Sequence, residues 1–392
     1  MKVKDGIRPS VELFAGAGGL GIGLAQAGFE PLEVVELNRW CCDTIRENRR
    51  ILSSRNDTWS LFEGDVRLVD FSRLEGKVDL VSGGPPCQPF SVGGKHRAYN
   101  DDRDMFSEAV RAVREARPKA FVFENVKGLT RTSFKNYLEY IRLQLEHPEI
   151  IRREDEAWDD HLGRLEQHHT TGTRSGLGYQ VVVQLLNAAD YGVPQKRERV
   201  VFVGFRDDVG ARWSFPKPDY TQQALVWDQV FGDYWERHRV PRKERRLEGR
   251  AAAMVKRLSR DQKPEQKPWR TVRDAFVGLE EPRPTDGGSM LNHVLQPGAR
   301  TYPGHTGSFV DEPAKTLKAG VHGVPGGENM QRRADGSVRY FTVRESARLQ
   351  TFPDNYRFHG AWTECMRQLG NAVPVTLARR VGEGVSEQLG RL

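Results

Sequence analysis

Val11-Glu12-Leu13-Phe14-Ala15-Gly16-Ala17-Gly18-Gly19-Leu20-Gly21-Ile22-Gly23 decides the fold. An apolar run, Val11 to Phe14, passes through a glycine loop into a stretch of helical character that continues to about Ala27. A short strand turned by glycines into a helix is the opening unit of a Rossmann-like sheet. Moving outward, Leu32 to Val35, Val78 to Val81 and Ala120 to Phe123 read as further strands, with helices expected over Trp40 to Asn48 and Met105 to Ala116. The alternation predicts an α/β sheet with helices on both faces. Each strand is followed by a polar or glycine-bearing segment, and open α/β sheets place their sites at the carboxyl ends of their strands.

Beyond that core the pattern changes twice. Residues 132–177 are charged and contain several histidines, with one amphipathic helix expected around Tyr137 to Leu145, and are read as a surface insertion in a catalytic domain covering 1–210. Tyr179 to Leu186 and Val200 to Phe205 frame the loop Asp190 to Arg199 as a strand pair. Over 211–339 Pro, Trp, Arg and Gly rise and the alternation lapses, which marks a smaller irregular domain. Residues 340–392 regain helices, Thr342 to Leu349 and Val375 to Leu389, and are expected to return to the catalytic domain.

Sixty Lys and Arg against fifty-three Asp and Glu give a net charge of +7, a mild lean toward a polyanionic partner. The distribution is sharper: Glu236 to Arg273 holds fourteen basic and five acidic residues, with Tyr234, Trp235 and Trp269 in or beside the run. A solvated helix face or linker would look the same. No window approaches the roughly 20 apolar residues of a membrane span. Met1 to Ser10 lacks an apolar leader core, so a cytoplasmic location is expected. Adjacent Cys41-Cys42 has neither zinc-ligand spacing nor easy disulfide geometry; reduced thiols and no structural metal are expected.

Four strand ends carry the candidate chemistry. Gly16, Gly18 and Gly19 would let a nucleoside cofactor approach the backbone, and Glu36 ends the next strand, where an acid takes ribose hydroxyls. Gly16, Gly18 and Gly21 also satisfy G-x-G-x-x-G, so this loop alone leaves an NAD-dependent dehydrogenase open. In Gly83-Gly84-Pro85-Pro86-Cys87-Gln88 two prolines stiffen the backbone ahead of a thiol. A free cysteine is more often a buried core residue, but one held rigidly at a strand end suits covalent catalysis. Glu124-Asn125-Val126 closes another strand; the acid is either a helix cap or, paired with Cys87, a proton donor beside a nucleophile. In Gln195-Lys196-Arg197-Glu198-Arg199, Arg197 and Arg199 fall on one side of an extended segment, suited to phosphate or carbonyl oxygens.

Taken in order, the Phe14 glycine loop, Glu36, Gly64-Asp65, Pro86-Cys87-Gln88, Glu124-Asn125-Val126, Gln195 to Arg199, Arg344 to Pro353 and Gly370 to Pro374 resemble the ordered motifs of the DNA (cytosine-5) methyltransferases of the prokaryotic restriction-modification type. The resemblance covers roughly residues 8 to 206 and 338 to 390. It implies the S-adenosylmethionine-dependent methyltransferase fold, with S-adenosylmethionine and not NAD as cofactor. By resemblance Phe14, Gly16, Gly18 and Gly19 cradle that cofactor, Glu36 binds its ribose, Asp65 its adenine, Pro86 lines the pocket, and Asn371 and Ala372 close it. Met105 or Phe106 is the candidate to pack on the adenine. Catalysis is assigned to Cys87, which adds at C6 of a flipped-out cytosine, and Glu124 at N3 and N4. Arg199 takes O2, and Arg197 takes the phosphate or braces the Cys87 loop. The gap between motifs, 211–339, becomes a target recognition domain, with Gln88, Ser91, Arg273, His305, Thr306, Lys318 and His322 as candidates to contact DNA. Double-stranded DNA is the implied partner, with a cognate restriction endonuclease and a monomeric enzyme expected. A transfer RNA cytosine methyltransferase of the same superfamily is the alternative, weighed down by the size of the recognition region. A catalytically dead relative would have lost Cys87, Glu124 or Arg199, and none is missing.

Overall fold

Seven strands lie in the order β3-β2-β1-β4-β5-β7-β6, and that order locates the site. The computed structural model describes residues 7–52, 59–86, 105–172, 176–285, 290–320 and 329–390. The strands are β1 (Arg8–Leu13), β2 (Phe29–Glu36), β3 (Leu61–Glu63), β4 (Leu80–Gly83), β5 (Ala120–Val126), β6 (Tyr179–Asn187) and β7 (Glu198–Arg206). β1 to β5 run parallel, whereas β7 is antiparallel to both β5 and β6. The chain winds outward from β1 through β2 to β3, then restarts at β4 on the other side of β1. The crevice between β1 and β4 is therefore the topological switch point, where such sheets bind ligands.

Helices α1 (Gly19–Gln26), α2 (Arg39–Glu47), α3 (Arg49–Leu52), α4 (Phe106–Ala116), α5 (Lys135–Glu146) and α6 (Trp158–Thr171) are interleaved with these strands. The central strands are buried on both faces, as parallel strands between helix layers must be. Phe121 and Phe123 of β5 point into one core with Val110 and Val113 of α4 and Ile141 and Leu145 of α5. Ala120 and Val122 point into the other, with Leu24 of α1 and Val381 and Val385 of a helix near the end of the chain. The result is a three-layer α/β/α body with helices on both faces of the sheet, as the alternation predicted.

Differences from the expected elements are informative. Phe14 is not a strand residue; it turns the chain after β1. β4, expected over Val78 to Val81, begins two residues later, at Leu80. β3 and α6 were not expected at all. α5 buries Tyr137, Tyr140, Ile141, Leu143 and Leu145, so that part of 132–177 belongs to the main core, whereas α6 buries only His161, Leu162 and Leu165.

After β7 the chain is a patchwork of short elements: β8 (Tyr220–Thr221), α7 (Gln222–Phe231), α8 (Tyr234–Arg237), α9 (Gly249–Val255), β9 (Lys267–Pro268), α10 (Val272–Ala275), β10 (Ser308–Phe309), β11 (Met330–Arg332) and β12 (Val338–Tyr340). Two small cores hold it together, one around Tyr234 and Trp235, the other around Val272, Phe309 and Leu317. Helices α11 (Val343–Leu349), α12 (Trp362–Asn371) and α13 (Val375–Gly390) then rejoin the sheet. α13 packs on α1 so closely that a Cβ on Gly23 would lie 2.4 Å from the Cβ of Ala378.

Candidate active site

Past Leu13 the backbone is left-handed at Phe14 (φ 53°), Gly16 (φ 57°) and Gly18 (φ 77°), which folds it back so that α1 starts at Gly19. For Phe14, with its Cβ, that conformation is strained, and such strain persists only where the surroundings impose it. One fastener is Glu36 at the end of β2: Gly16 N–H donates to its Oε2 and Asn38 N–H to its Oε1, each at 2.7 Å. Burial raises the pKa of Glu36 against these amides, which favour the charged form. Gly64 N–H donates to the Glu36 carbonyl at 3.0 Å, bringing Asp65 to the same sheet edge. Asp65 accepts from Arg67 N–H at 2.9 Å and from Arg67 Nε at 3.0 Å, and this guanidinium holds the carboxyl below its ordinary pKa.

The loop glycines serve different ends. A Cβ on Gly16 would meet nothing within 4 Å, so it faces open space beside Glu36. On Gly19 a Cβ would sit 2.4 Å from the carbonyl oxygen of Val373, so this glycine is demanded by the segment that joins α12 to α13. Ala372 is buried there while Asn371 is exposed, and Gln350 Nε2 donates to the Ala372 carbonyl at 3.3 Å. Tyr356, fully buried, reaches across to donate to the Ala17 carbonyl at 2.7 Å. Beneath the loop, Glu12 is wholly buried; Oε1 accepts from Gly21 N–H at 2.9 Å and Oε2 has no hydrogen-bond partner. Sequence reading gave Glu12 and Tyr356 no role, and it placed Gln350 only within the Arg344 to Pro353 motif.

At the second strand end, the loop after β4 is pinned from two sides. Asn125 Nδ2 donates to the Pro85 carbonyl at 2.9 Å, and Met105 N–H donates to the Pro86 carbonyl at 3.1 Å. Cys87, Gln88, Ser91 and His322 lie outside the described residues. Immediately upstream, Glu124 Oε2 is 3.5 Å from where a Cβ on Gly84 would be, so the carboxylate stands beside the loop that leads into Cys87. Arg199 on β7 brings its Nε to 2.6 Å from Glu124 Oε1, both side chains only about a tenth exposed (11% and 9%). The pair is close but not aligned as a hydrogen bond, since Oε1 counts none. Burial lowers the pKa of Arg199, with Glu124 opposing it. Phe106 is core, edge-on to Phe202, which leaves the half-buried Met105 as the residue of that pair nearer the loop.

Arg197 does not face outward. It is 0% exposed, donating from Nη1 to the Leu317 carbonyl (3.2 Å) and from Nη2 to the Gly370 carbonyl (2.8 Å), and burial drives its pKa well down. A phosphate contact finds no exposed surface on it; it ties the start of β7 to Leu317 and to α12. Gln195, also fully buried, accepts from Leu317 N–H at 3.0 Å in the same seam.

The candidates for contacting DNA divide. Arg273 clasps the buried Asp311 at 2.6 and 3.0 Å, which commits its guanidinium to internal structure. Thr306 and Lys318 are exposed and His305 is half-buried against Tyr302. Thr306 Oγ1 accepts from Lys315 Nζ at 3.0 Å, and the Lys318 backbone is held on both sides by Asn329. Tyr234 and Trp235, just before the basic stretch, are core and form no stacking platform, while the half-buried Trp269 donates from Nε1 to Asp190. Lys256, Arg257, Arg260 and Lys263 are exposed. The three described cysteines, Cys41, Cys42 and Cys365, are free and buried, and burial raises the thiol pKa of Cys42 and Cys365 to about 12.

Among the described residues no helix is long and apolar enough to cross a membrane. The C-5 cytosine-specific DNA methylase family matches residues 9–148 and 167–387. The Type II methyltransferase M.PspPI of Psychrobacter sp. is 33% identical over 382 residues, 97% of this chain and 79% of that protein. M.NgoMIV of Neisseria gonorrhoeae, also a Type II methyltransferase, is 31% identical over 380 residues, 97% of each chain. The fold is shared with the crystal structure of the S. pombe Dnmt2 methyltransferase (TM-score 0.54, 16% identity, 98% of this chain and 99% of that one). With a match spanning both the sheet and the segments around it, the chain belongs to the C-5 cytosine-specific DNA methylase family.

Proposed function

We propose that this enzyme transfers a methyl group from S-adenosylmethionine to C5 of a flipped-out cytosine in a short duplex sequence, through a covalent bond between Cys87 and C6. The observation that carries the reading is the buried Glu124–Arg199 pair standing beside Gly84, three residues ahead of Cys87. Cytosine C5 is a weak nucleophile, so the enzyme must first enrich the ring. Attack by the Cys87 thiolate forms the S–C6 bond and moves the C5–C6 π electrons onto C5. Glu124 supplies a proton at N3 and accepts from the N4 amine, which stabilises that charge. Arg199 orients Glu124 and takes O2. After methylation, loss of the C5 proton re-forms the C5–C6 double bond and expels the thiolate.

The residues at the switch point fit the cofactor. Gly16 leaves open space beside the Glu36 carboxylate, the donor set suited to a ribose, with Asp65 on the same edge for the adenine and Pro86 and Met105 at the adjacent strand end. Phe14, Gly18, Gly19, Asn371 and Ala372 would frame the rest. S-adenosylmethionine supplies there an electrophilic methyl on a sulfonium. Arg197 we assign to positioning, because its bonds to Leu317 and Gly370 join three parts of the chain behind Arg199. For DNA contact, Lys318, His305 and Thr306 remain the candidates among the described residues, and residues 211–339 are taken as the recognition domain. We read the enzyme as a cytoplasmic monomer that protects DNA from a partner endonuclease, in keeping with its Type II relatives.

Bisulfite sequencing of plasmid incubated with protein and S-adenosylmethionine tests the reading. Protected cytosines within one recurring short sequence are expected, with none for Cys87→Ala although that variant still binds duplex. Glu124→Gln should lower kcat by about 10²- to 10⁴-fold. Retained turnover in Cys87→Ala would overturn the mechanism, and protection of transfer RNA alone would favour an RNA substrate.

A further inference from the structure

Helices α5 and α6 both end at the same spot, and three potential metal ligands meet there. His147 caps α5 just after Glu146, while His168 and His169 lie in the last turn of α6. His147 Nε2 and His169 Nδ1 face each other at 3.2 Å, and His169 Nδ1 is 3.3 Å from Glu146 Oε2. All three atoms fall within 4.8 Å of one another. Two ligands bonded tetrahedrally to zinc at roughly 2.0–2.1 Å are about 3.3 Å apart, so two edges of the triangle already have the length a shared ion imposes.

A second, independent observation concerns the carboxylate. Glu146 is only 7% exposed, and Oε2 has no hydrogen-bond partner despite its proximity to His169. The other oxygen is held by Arg142, which fixes the carboxylate's direction as outer-shell partners of metal ligands do. Two helix carboxyl termini converge on the point, and their dipoles favour a cation. The family match breaks between residues 148 and 167, so most of α6 lies outside it.

We infer that Glu146, His147 and His169 form a binding site for a divalent transition ion of the zinc class, stapling α6 to α5. Mixed imidazole and carboxylate donors suit zinc better than calcium or magnesium, which prefer oxygen alone. One proton at most can sit between the two facing ring nitrogens, and the ion replaces it. Three protein ligands leave a fourth position for water, and the ring of His168 stands 4.9 Å from that of His147.

The test uses the full chain stripped with chelator and titrated with Zn²⁺ alone by calorimetry, then with Co²⁺ to read coordination by visible absorption. One equivalent should bind with a rise in Tm and a tetrahedral Co²⁺ spectrum lacking thiolate charge-transfer bands. His147→Ala and His169→Ala should each weaken binding by at least the ~10- to 100-fold that losing an outer-shell partner costs. Both substitutions are on the half-buried or exposed side of the cluster, and an unchanged metal-free Tm shows that they fold. Methyl transfer should be unaltered in both. No binding by the folded parent, or binding equally tight in the two histidine variants, overturns the site.

Discussion

Two buried carboxyls, Glu12 on β1 and Glu124 on β5, meet the cost of burial in different ways. Glu124 keeps a guanidinium at 2.6 Å; Glu12 has no cation beside it and keeps its proton, with burial pushing its pKa up to about 8. A carboxyl that titrates near 4.5 when unfolded and near 8 when folded binds more protons in the native state between those values. Stability is therefore full below about pH 4.5, falls as pH rises toward 8, and is level above it. Glu12→Gln, which keeps an acceptor for Gly21, should flatten that slope. Its stability advantage over the parent, read as a rise in Tm, should grow from pH 5 to pH 8, toward an upper bound of ~5 kcal/mol. Parallel melts at several pH values decide this; equal slopes would mean that Glu12 is ionised in the fold. Residue chemistry was legible in the sequence where a motif fixed it, as for Glu36 and Glu124. It was not for Glu12, because β1 is buried on both faces and shows no alternation from which an inward acid stands out.

At the scale of elements, the loop between β1 and α1 separates two demands that the sequence writes with the same letter. Gly16→Ala places a methyl in the open space beside Glu36 and strains one residue, at roughly 1–2 kcal/mol. Gly19→Ala drives a methyl into the rigid Val373 backbone carbonyl, at about 1–3 kcal/mol or more. The first should weaken S-adenosylmethionine binding with only a modest fall in Tm, and the second should lower Tm first. Calorimetric titration beside thermal melts distinguishes them; equal stability losses would merge the two roles. The six longer strands of the main sheet were readable as apolar runs, and α1, α2, α4, α5, α11 and α13 as helical stretches, whereas the short elements after β7 were not. α6 escaped because its buried stripe is one histidine and two leucines in fourteen residues, and β3 because three residues carry no period.

Across the whole molecule, charge and aromatic content part company. Tyr234 and Trp235 are core, and Arg273 is spent on Asp311, while Lys256, Arg257 and Arg260 stay at the surface. Composition cannot separate a ring that packs inward from one that meets a base, so the basic stretch was legible and its aromatic neighbours were misleading. If the stretch lies along the duplex, neutralising those three residues to Gln removes up to three phosphate contacts. The slope of log K against log salt should then fall by roughly 2–3, equally for specific and random DNA. Unchanged slopes would place the stretch away from the duplex.

Tyr356 touches the Ala17 carbonyl across 339 residues of sequence, and Val373 presses on Gly19. The loop after β1 is thus completed by residues made 339 positions later or more. A growing chain holds an unfinished cradle until Tyr356 and Val373 have been made. Gly390 lies beside the guanidinium of Arg8, so a permuted chain that joins these two points and opens within 211–339 should still assemble, though it would fold in a different order.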